Sequence, residues 1–179
     1  MDDTTRGALT ALTRLLGDAR IPFQVGGSAL LHALGLVDEV GDLDVVVRPD
    51  DRARLGAALR SATGASPVFD VHQEPGFVSG WRASHRFCGA DLDVTAAVAL
   101  RYRGGFVARI PFRTGTTWEL DGVSVPLAPL TDWLLVYRHH KPTRARLLEP
   151  FVAKEEWVEF LDLIGAPPGF DGFRPESPA

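Results

Sequence analysis

The sequence has little cysteine, little lysine and no long apolar run, and each shortage excludes a class of protein. Cys88 is the only cysteine among 179 residues, so no internal disulfide and no cysteine-based zinc cluster can form, which fits a reducing compartment. Of the 19 basic residues only Lys141 and Lys154 are lysine. Alanine is abundant throughout, so that bias reads as genome base composition and says little about partners. The longest apolar stretch, residues 29–37, is interrupted by His32 and Gly35 and is too short for a membrane span. Met1-Asp2-Asp3 is acidic where a secretory signal would be basic. A cytoplasmic protein with no membrane partner is the expectation.

What is present supports a folded chain, since 45% hydrophobic residues over this length suffice for one core with a small appendage. The net charge of −4 argues against a wholly basic nucleic-acid-coating protein, but it is unevenly spread. Residues 1–100 hold 13 acids and 9 bases, residues 101–146 hold 3 and 8, and residues 147–179 hold 7 and 2. The basic middle is either a face toward an anionic ligand such as a phosphate or an ordinary solvated arginine surface.

Leu9, Leu12, Leu15 and Leu16 recur at helical spacing after Thr4-Thr5, and Gly17 with Pro22 closes that helix. A short strand at 23–25 runs into Gly26-Gly27-Ser28, a helix at 29–34 stops at Gly35, and 43–47 is a compact apolar strand. Asp50 is a plausible N-cap for a helix to residue 62, before Gly64. Strands are expected at 68–71, 85–88, 92–98 and 106–110, followed by a hairpin turning at Asp121-Gly122. Thr131 caps a helix through 138, and a last helical region spans 144–164 with Pro150 dividing it. The predicted fold class is α+β, a mixed β-sheet with helices packed on one side. Residues 1–128 form the core, 129–164 a C-terminal helical part, and 165–179, rich in Gly and Pro, a disordered tail.

The chemistry concentrates in two stretches, Val25-Gly26-Gly27-Ser28 and Gly41-Asp42-Leu43-Asp44-Val45. Side chains alternate along a strand, so Asp42 and Asp44 project to one side while Leu43 and Val45 enter the core. Two such carboxylates suit a hard divalent cation, because Mg²⁺ takes one or two protein carboxylates together with substrate phosphate oxygens. The glycines allow close backbone approach to a ligand, and a serine at a helix start can bind a phosphate oxygen; alternatively Ser28 is simply an N-cap. A third acid stands in Ala90-Asp91-Leu92-Asp93-Val94. Asp93 is favoured over Asp91 because the apolar run continues after it, as a further ligand or as the base for an attacking hydroxyl.

Gly27-Ser28, 13 residues, Asp42-Leu43-Asp44 and the later Asp93 resemble the nucleotidyltransferase superfamily with the DNA polymerase β-like core. The small bacterial members are most similar: antibiotic nucleotidyltransferases, minimal nucleotidyltransferase antitoxins and abortive-infection-type toxins. The resemblance covers about residues 20–140 and includes Leu130-Thr131-Asp132-Trp133-Leu134-Leu135 as the entry to a C-terminal helix. It implies that Gly26, Gly27 and Ser28 contact a nucleoside triphosphate, and that Asp42, Asp44 and Asp93 hold Mg²⁺ or Mn²⁺. The implied reaction transfers a nucleoside monophosphate to a hydroxyl of a small molecule, RNA or protein and releases pyrophosphate. One departure is the absence of a lysine early in the C-terminal helix, which leaves Arg138 or Lys141 to serve. That departure keeps open a second reading, a catalytically weak relative acting as a regulatory or antitoxin-like protein partner.

Other candidates carry less. The basic run from Arg138 to Arg146 is either a phosphate or RNA clamp or a helix end whose cations suit the dipole. His139 and His140 point about 100° apart in a helix, a poor metal pair. Asp70-Val71-His72 lacks a third ligand, and Cys88 reads as a small buried apolar residue.

Overall fold

The computed structural model describes residues 1–71, 76–113 and 115–173. Its centre is a five-stranded mixed sheet in the order β1-β2-β5-β4-β3. These strands are β1 (Phe23–Val25), β2 (Leu43–Val47), β3 (Val68–Asp70), β4 (Trp81–Phe87) and β5 (Ala90–Ala96). Only β2 and β5 run parallel; the other neighbours are antiparallel. Two small hairpins, β6 (Ala99–Arg101) with β7 (Val107–Arg109) and β8 (Thr117–Leu120) with β9 (Val123–Pro126), complete the β structure.

Alternation gives the sheet two different faces. Val45, Val47, Leu92, Val94 and Ala83 join one apolar cluster with Leu9, Leu12 and Leu16 of α1 (Asp3–Asp18) and Leu55 and Leu59 of α3 (Arg52–Thr63). Asp2 caps α1, its carboxylate accepting the Thr5 N–H at 2.7 Å. Gly64, at φ +75°, ends α3 as a left-handed C-cap. Helices α1 and α3 thus cover this face of the mixed sheet. The opposite face carries Gln24, Asp44, Val46, Arg82, Asp93 and Thr95 and lines a cleft rather than the core.

The C-terminal helices close over that second face. They are α4 (Leu130–His140), α5 (Pro142–Leu148) and α6 (Lys154–Leu163), with Pro150 in the 3₁₀ turn between the last two, where the sequence divides them. The break between α4 and α5 falls at Lys141 (φ −136°, ψ 66°), because a proline disfavours helical geometry in the residue before it. Helix α5 therefore begins two residues earlier than periodicity suggests. Residues 165–173, expected in the disordered tail, pack against the β6–β7 hairpin and helices α4 and α6. Phe170 meets Tyr102 and Phe106 edge-on at 4.7 and 5.1 Å, and the Tyr102 hydroxyl donates to Gly172 O at 3.1 Å. Residues 174–179 and His72 lie outside the described residues.

Cys88 departs from the expected burial. It is exposed, not buried, because it forms with Gly89 the tight turn between β4 and β5, where both residues have positive φ (49° and 87°). No helix among the described residues is long and apolar enough to cross a membrane.

Candidate active site

Asp42 immediately precedes β2, and Asp44 is its second residue, with Leu43 and Val45 packed beneath in the core. Because β2 and β5 run parallel in the register Asp44↔Asp93, the third acid is the lateral neighbour of Asp44. Asp42, Asp44 and Asp93 all line one cleft of about 940 Å³, counted with its open mouth. Asp91 does not line it. That residue is exposed near the β4–β5 turn, paired with Arg86 at 2.9 Å.

The glycine-serine turn serves this arrangement from behind. Helix α2 (Gly27–Ala33) starts where β1 ends, and the Gly26 N–H donates to Asp44 O at 2.9 Å, tying the turn to β2. A Cβ on Gly26 would overlap the Trp133 indole, and one on Gly27, which also has φ +57°, would overlap the Asp44 carboxylate. Ser28 is 2% exposed; its hydroxyl accepts the Gly41 N–H at 3.3 Å and reaches Asp42 O at 3.5 Å. The close approach that the glycines permit is thus to the protein's own Trp133 and Asp44, and Ser28 braces the entry to β2.

Charge in the cleft is strongly coupled. Burial pushes the Asp44 carboxyl up to about 7, repulsion from Asp42 and Asp93 adds to this, and Lys141 and Arg144 oppose it. Asp93 is better supported: Arg82 Nη2 donates to its Oδ2 and Ser84 Oγ to its Oδ1, both at 2.6 Å. Arg82 is not evident from the sequence, because β4 begins at Trp81, four residues before the expected strand. The alternation of Arg82, Ser84 and Arg86 against Trp81, Ala83 and Phe87 was the available signal.

Helix α4 supplies the facing wall with Trp133, Val136, Tyr137 and His140, one face at helical spacing, and Lys141 and Arg144 follow at the α4–α5 corner. Trp133 and Tyr137 meet with their rings tilted 56° and centroids 5.5 Å apart, and the Arg144 guanidinium lies over the Tyr137 ring at 5.9 Å. Of the two cations expected at the site, Lys141 lines the cleft. Arg138 does not: it pairs with Glu149 at 2.8 Å and lies over the Trp157 and Phe173 rings, on the side of α4 that meets α6.

Asp132 also borders the cleft, but its carboxylate is bound by Arg113 and the Thr131 hydroxyl. Burial raises it to about 6 against the pull of Arg113. Its contribution to stability is therefore full below the ordinary value of 3.8 and declines as pH rises toward 6. Replacing Arg113 with methionine is expected to cost about 1–3 kcal/mol at pH 8, where the carboxylate loses its partner. At pH 5, where the carboxyl is mostly protonated, the cost should nearly vanish. Denaturant unfolding at the two pH values checks this.

Among the described residues no group of three or more His, Cys, Asp or Glu side chains forms a metal cluster. The donor set fits a cation held jointly with a ligand. Asp42 and Asp44 are hard oxygen donors, and their mutual repulsion, which raises Asp44, is what a divalent ion would relieve.

Compared by sequence, the chain matches no family model and no curated protein. Compared by structure, it is similar to a Thermotoga maritima protein ascribed to the nucleotidyltransferases (TM-score 0.60, 16% identity, 84% of this chain and 90% of that one). It is also similar to the antibiotic-resistance factor ANT(2'')-Ia (0.60, 16%, 91% and 92%) and to the lincosamide antibiotic adenylyltransferase LnuA (0.54, 13%, 84% and 100%). The chain has the nucleotidyltransferase fold.

Proposed function

We propose that the protein is a Mg²⁺-dependent nucleotidyltransferase that moves a nucleoside monophosphate from a nucleoside triphosphate to an acceptor hydroxyl. The observation that carries this reading is the lateral pairing of Asp44 with Asp93, beside Asp42, under Lys141 and Arg144 in one cleft. Asp42 and Asp44 would hold the cation, which when bound neutralises phosphate charge and favours departure of pyrophosphate. Lys141 and Arg144 bind the triphosphate oxygens, while Gly26, Gly27 and Ser28 hold Asp42 and Asp44 in place. The acceptor oxygen bonds to the α-phosphorus as the bond to the bridging oxygen of the β-phosphate breaks, and pyrophosphate leaves. Asp93 takes the hydroxyl proton, since each carboxylate oxygen keeps a lone pair beyond its bond to Arg82 or Ser84. Two of the structures named above are antibiotic-modifying or antibiotic-resistance proteins, which supports a small-molecule acceptor over RNA or protein.

One observation favours a second reading. Both Asp93 oxygens already accept hydrogen bonds, from Arg82 and Ser84, so an acceptor hydroxyl meets an occupied carboxylate, as in a relative that binds nucleotide and acts on a protein partner without transfer. Thermal-shift titration with each of the four triphosphates and Mg²⁺, followed by pyrophosphate release, separates the two. Transfer predicts a stabilising triphosphate and metal-dependent pyrophosphate, both lost in Asp42→Ala and Asp44→Ala. Stabilisation without pyrophosphate in the presence of candidate acceptors supports the second reading. No stabilisation by any triphosphate overturns both.

A further inference from the structure

Gln24 is the middle residue of β1. Its neighbours Phe23 and Val25 enter the core, so its side chain faces the cleft beside Val46 of β2. It is 4% exposed, and its amide nitrogen is buried without a hydrogen-bond partner among the described residues. Buried polar groups in folded proteins are nearly always paired. An amide donor left open in the wall of a cleft therefore points to a ligand.

The surroundings define the kind of ligand group. Ala128, whose N–H donates to Val25 O, stands beside β1 just before α4 begins, so Gln24 lies toward the N-terminal end of α4. Lys141 and Arg144, the cations that act on Asp44, stand at the other end of that helix. Beside Gln24 stands Val46, its register partner, Ala128 and Trp133 also line the cleft, and the Asp132 carboxylate at that end of α4 is committed to Arg113 and Thr131. This end suits an uncharged, flat group carrying hydrogen-bond acceptors. We propose that it receives the nucleobase of the triphosphate and that the Gln24 amide donates to a ring nitrogen or carbonyl oxygen of the base. The proposal rests on the nucleotide reading above and assigns a specificity-determining residue within it.

The test compares wild type with Gln24→Leu and Gln24→Glu by calorimetry, using ATP, GTP, CTP and UTP with Mg²⁺, and inorganic tripolyphosphate with Mg²⁺ as a probe without a base. Gln24→Leu should bind tripolyphosphate like wild type, lose about 5- to 10-fold for the best-bound nucleotide, and narrow the spread among the four. Gln24→Glu, which exchanges the donor for an acceptor, should reorder them. The free Leu variant should melt no lower than wild type, because an unpaired buried donor is gone. Unchanged nucleotide affinities overturn the proposal, as does a parallel loss of tripolyphosphate binding or a marked fall in melting temperature, either of which marks Gln24 as structural. If wild type binds neither nucleotides nor tripolyphosphate, the nucleotide reading itself fails. That result is distinct from a wild type and a Leu variant that bind nucleotides equally well.

Discussion

Asp44→Asn is expected to make the metal-free protein more heat-stable at pH 8 while slowing nucleotide transfer about a thousandfold. The Asp44 carboxyl rises from the ordinary 3.8 to about 7 in the folded chain, first because it is buried and then because Asp42 is beside it. A folded-state value above the unfolded one means that the stability contribution is complete below pH 3.8 and is lost as pH rises through 7. At roughly 1.4 kcal/mol per pH unit the loss is on the order of 4 kcal/mol by pH 8. Asparagine removes the charge but buries an amide, so a net gain of about 2–3 kcal/mol, roughly 5–10 °C in Tm, is expected at pH 8. Near pH 4 the gain should disappear. Mg²⁺ with triphosphate should stabilise the wild type and leave the variant unchanged. Losing a cation ligand should remove several kcal/mol of transition-state stabilisation, about three orders of magnitude in rate. Melting curves at pH 4 and 8, with and without Mg²⁺ and triphosphate, read both effects. A variant less stable than wild type at pH 8 without metal would contradict the electrostatic account.

The same residues show how far the sequence could lead. Period-two alternation was enough to put Leu43 and Val45 in the core and Asp42 and Asp44 on the other side, because one buried face fixes a strand's orientation. The mixed sheet and the divided C-terminal helices also follow from local patterns. The registration of Asp44 against Asp93 does not, since it depends on a parallel pairing across two strands far apart in the chain. Arg138 was a plausible clamp by charge alone, yet it stands one residue, about 100° around a helix, beyond Tyr137 and so meets Glu149 instead of the cleft. Gln24 and Trp133 carried no charge signal at all; only the fold brings them to the same cleft. Gly26-Gly27 was legible as a site of close approach but not as to what approaches, because the partners, Trp133 and Asp44, come from other elements.

Gly27→Ala is expected to have the second large effect. Gly27 has φ +57°, which for an alanine costs about 1–2 kcal/mol, and its Cβ would overlap the Asp44 carboxylate, which is hemmed in by the core strand beneath it. Forcing a methyl into such a contact adds about 1–3 kcal/mol, so a total loss of roughly 2–5 kcal/mol is expected by denaturant unfolding. Displacing Asp44 should also weaken binding of Mg²⁺ with triphosphate at least tenfold in the fraction that stays folded. A double-mutant cycle separates strain from steric overlap. In an Asp44→Gly background the overlap is gone, and Gly27→Ala should cost only the backbone part, about 1–2 kcal/mol. Equal costs in the two backgrounds would mean that the glycine is required by its backbone alone and that Asp44 does not depend on it. The coupling expected here makes Gly27 and Asp44 one unit, in which the glycine is the space the carboxylate occupies.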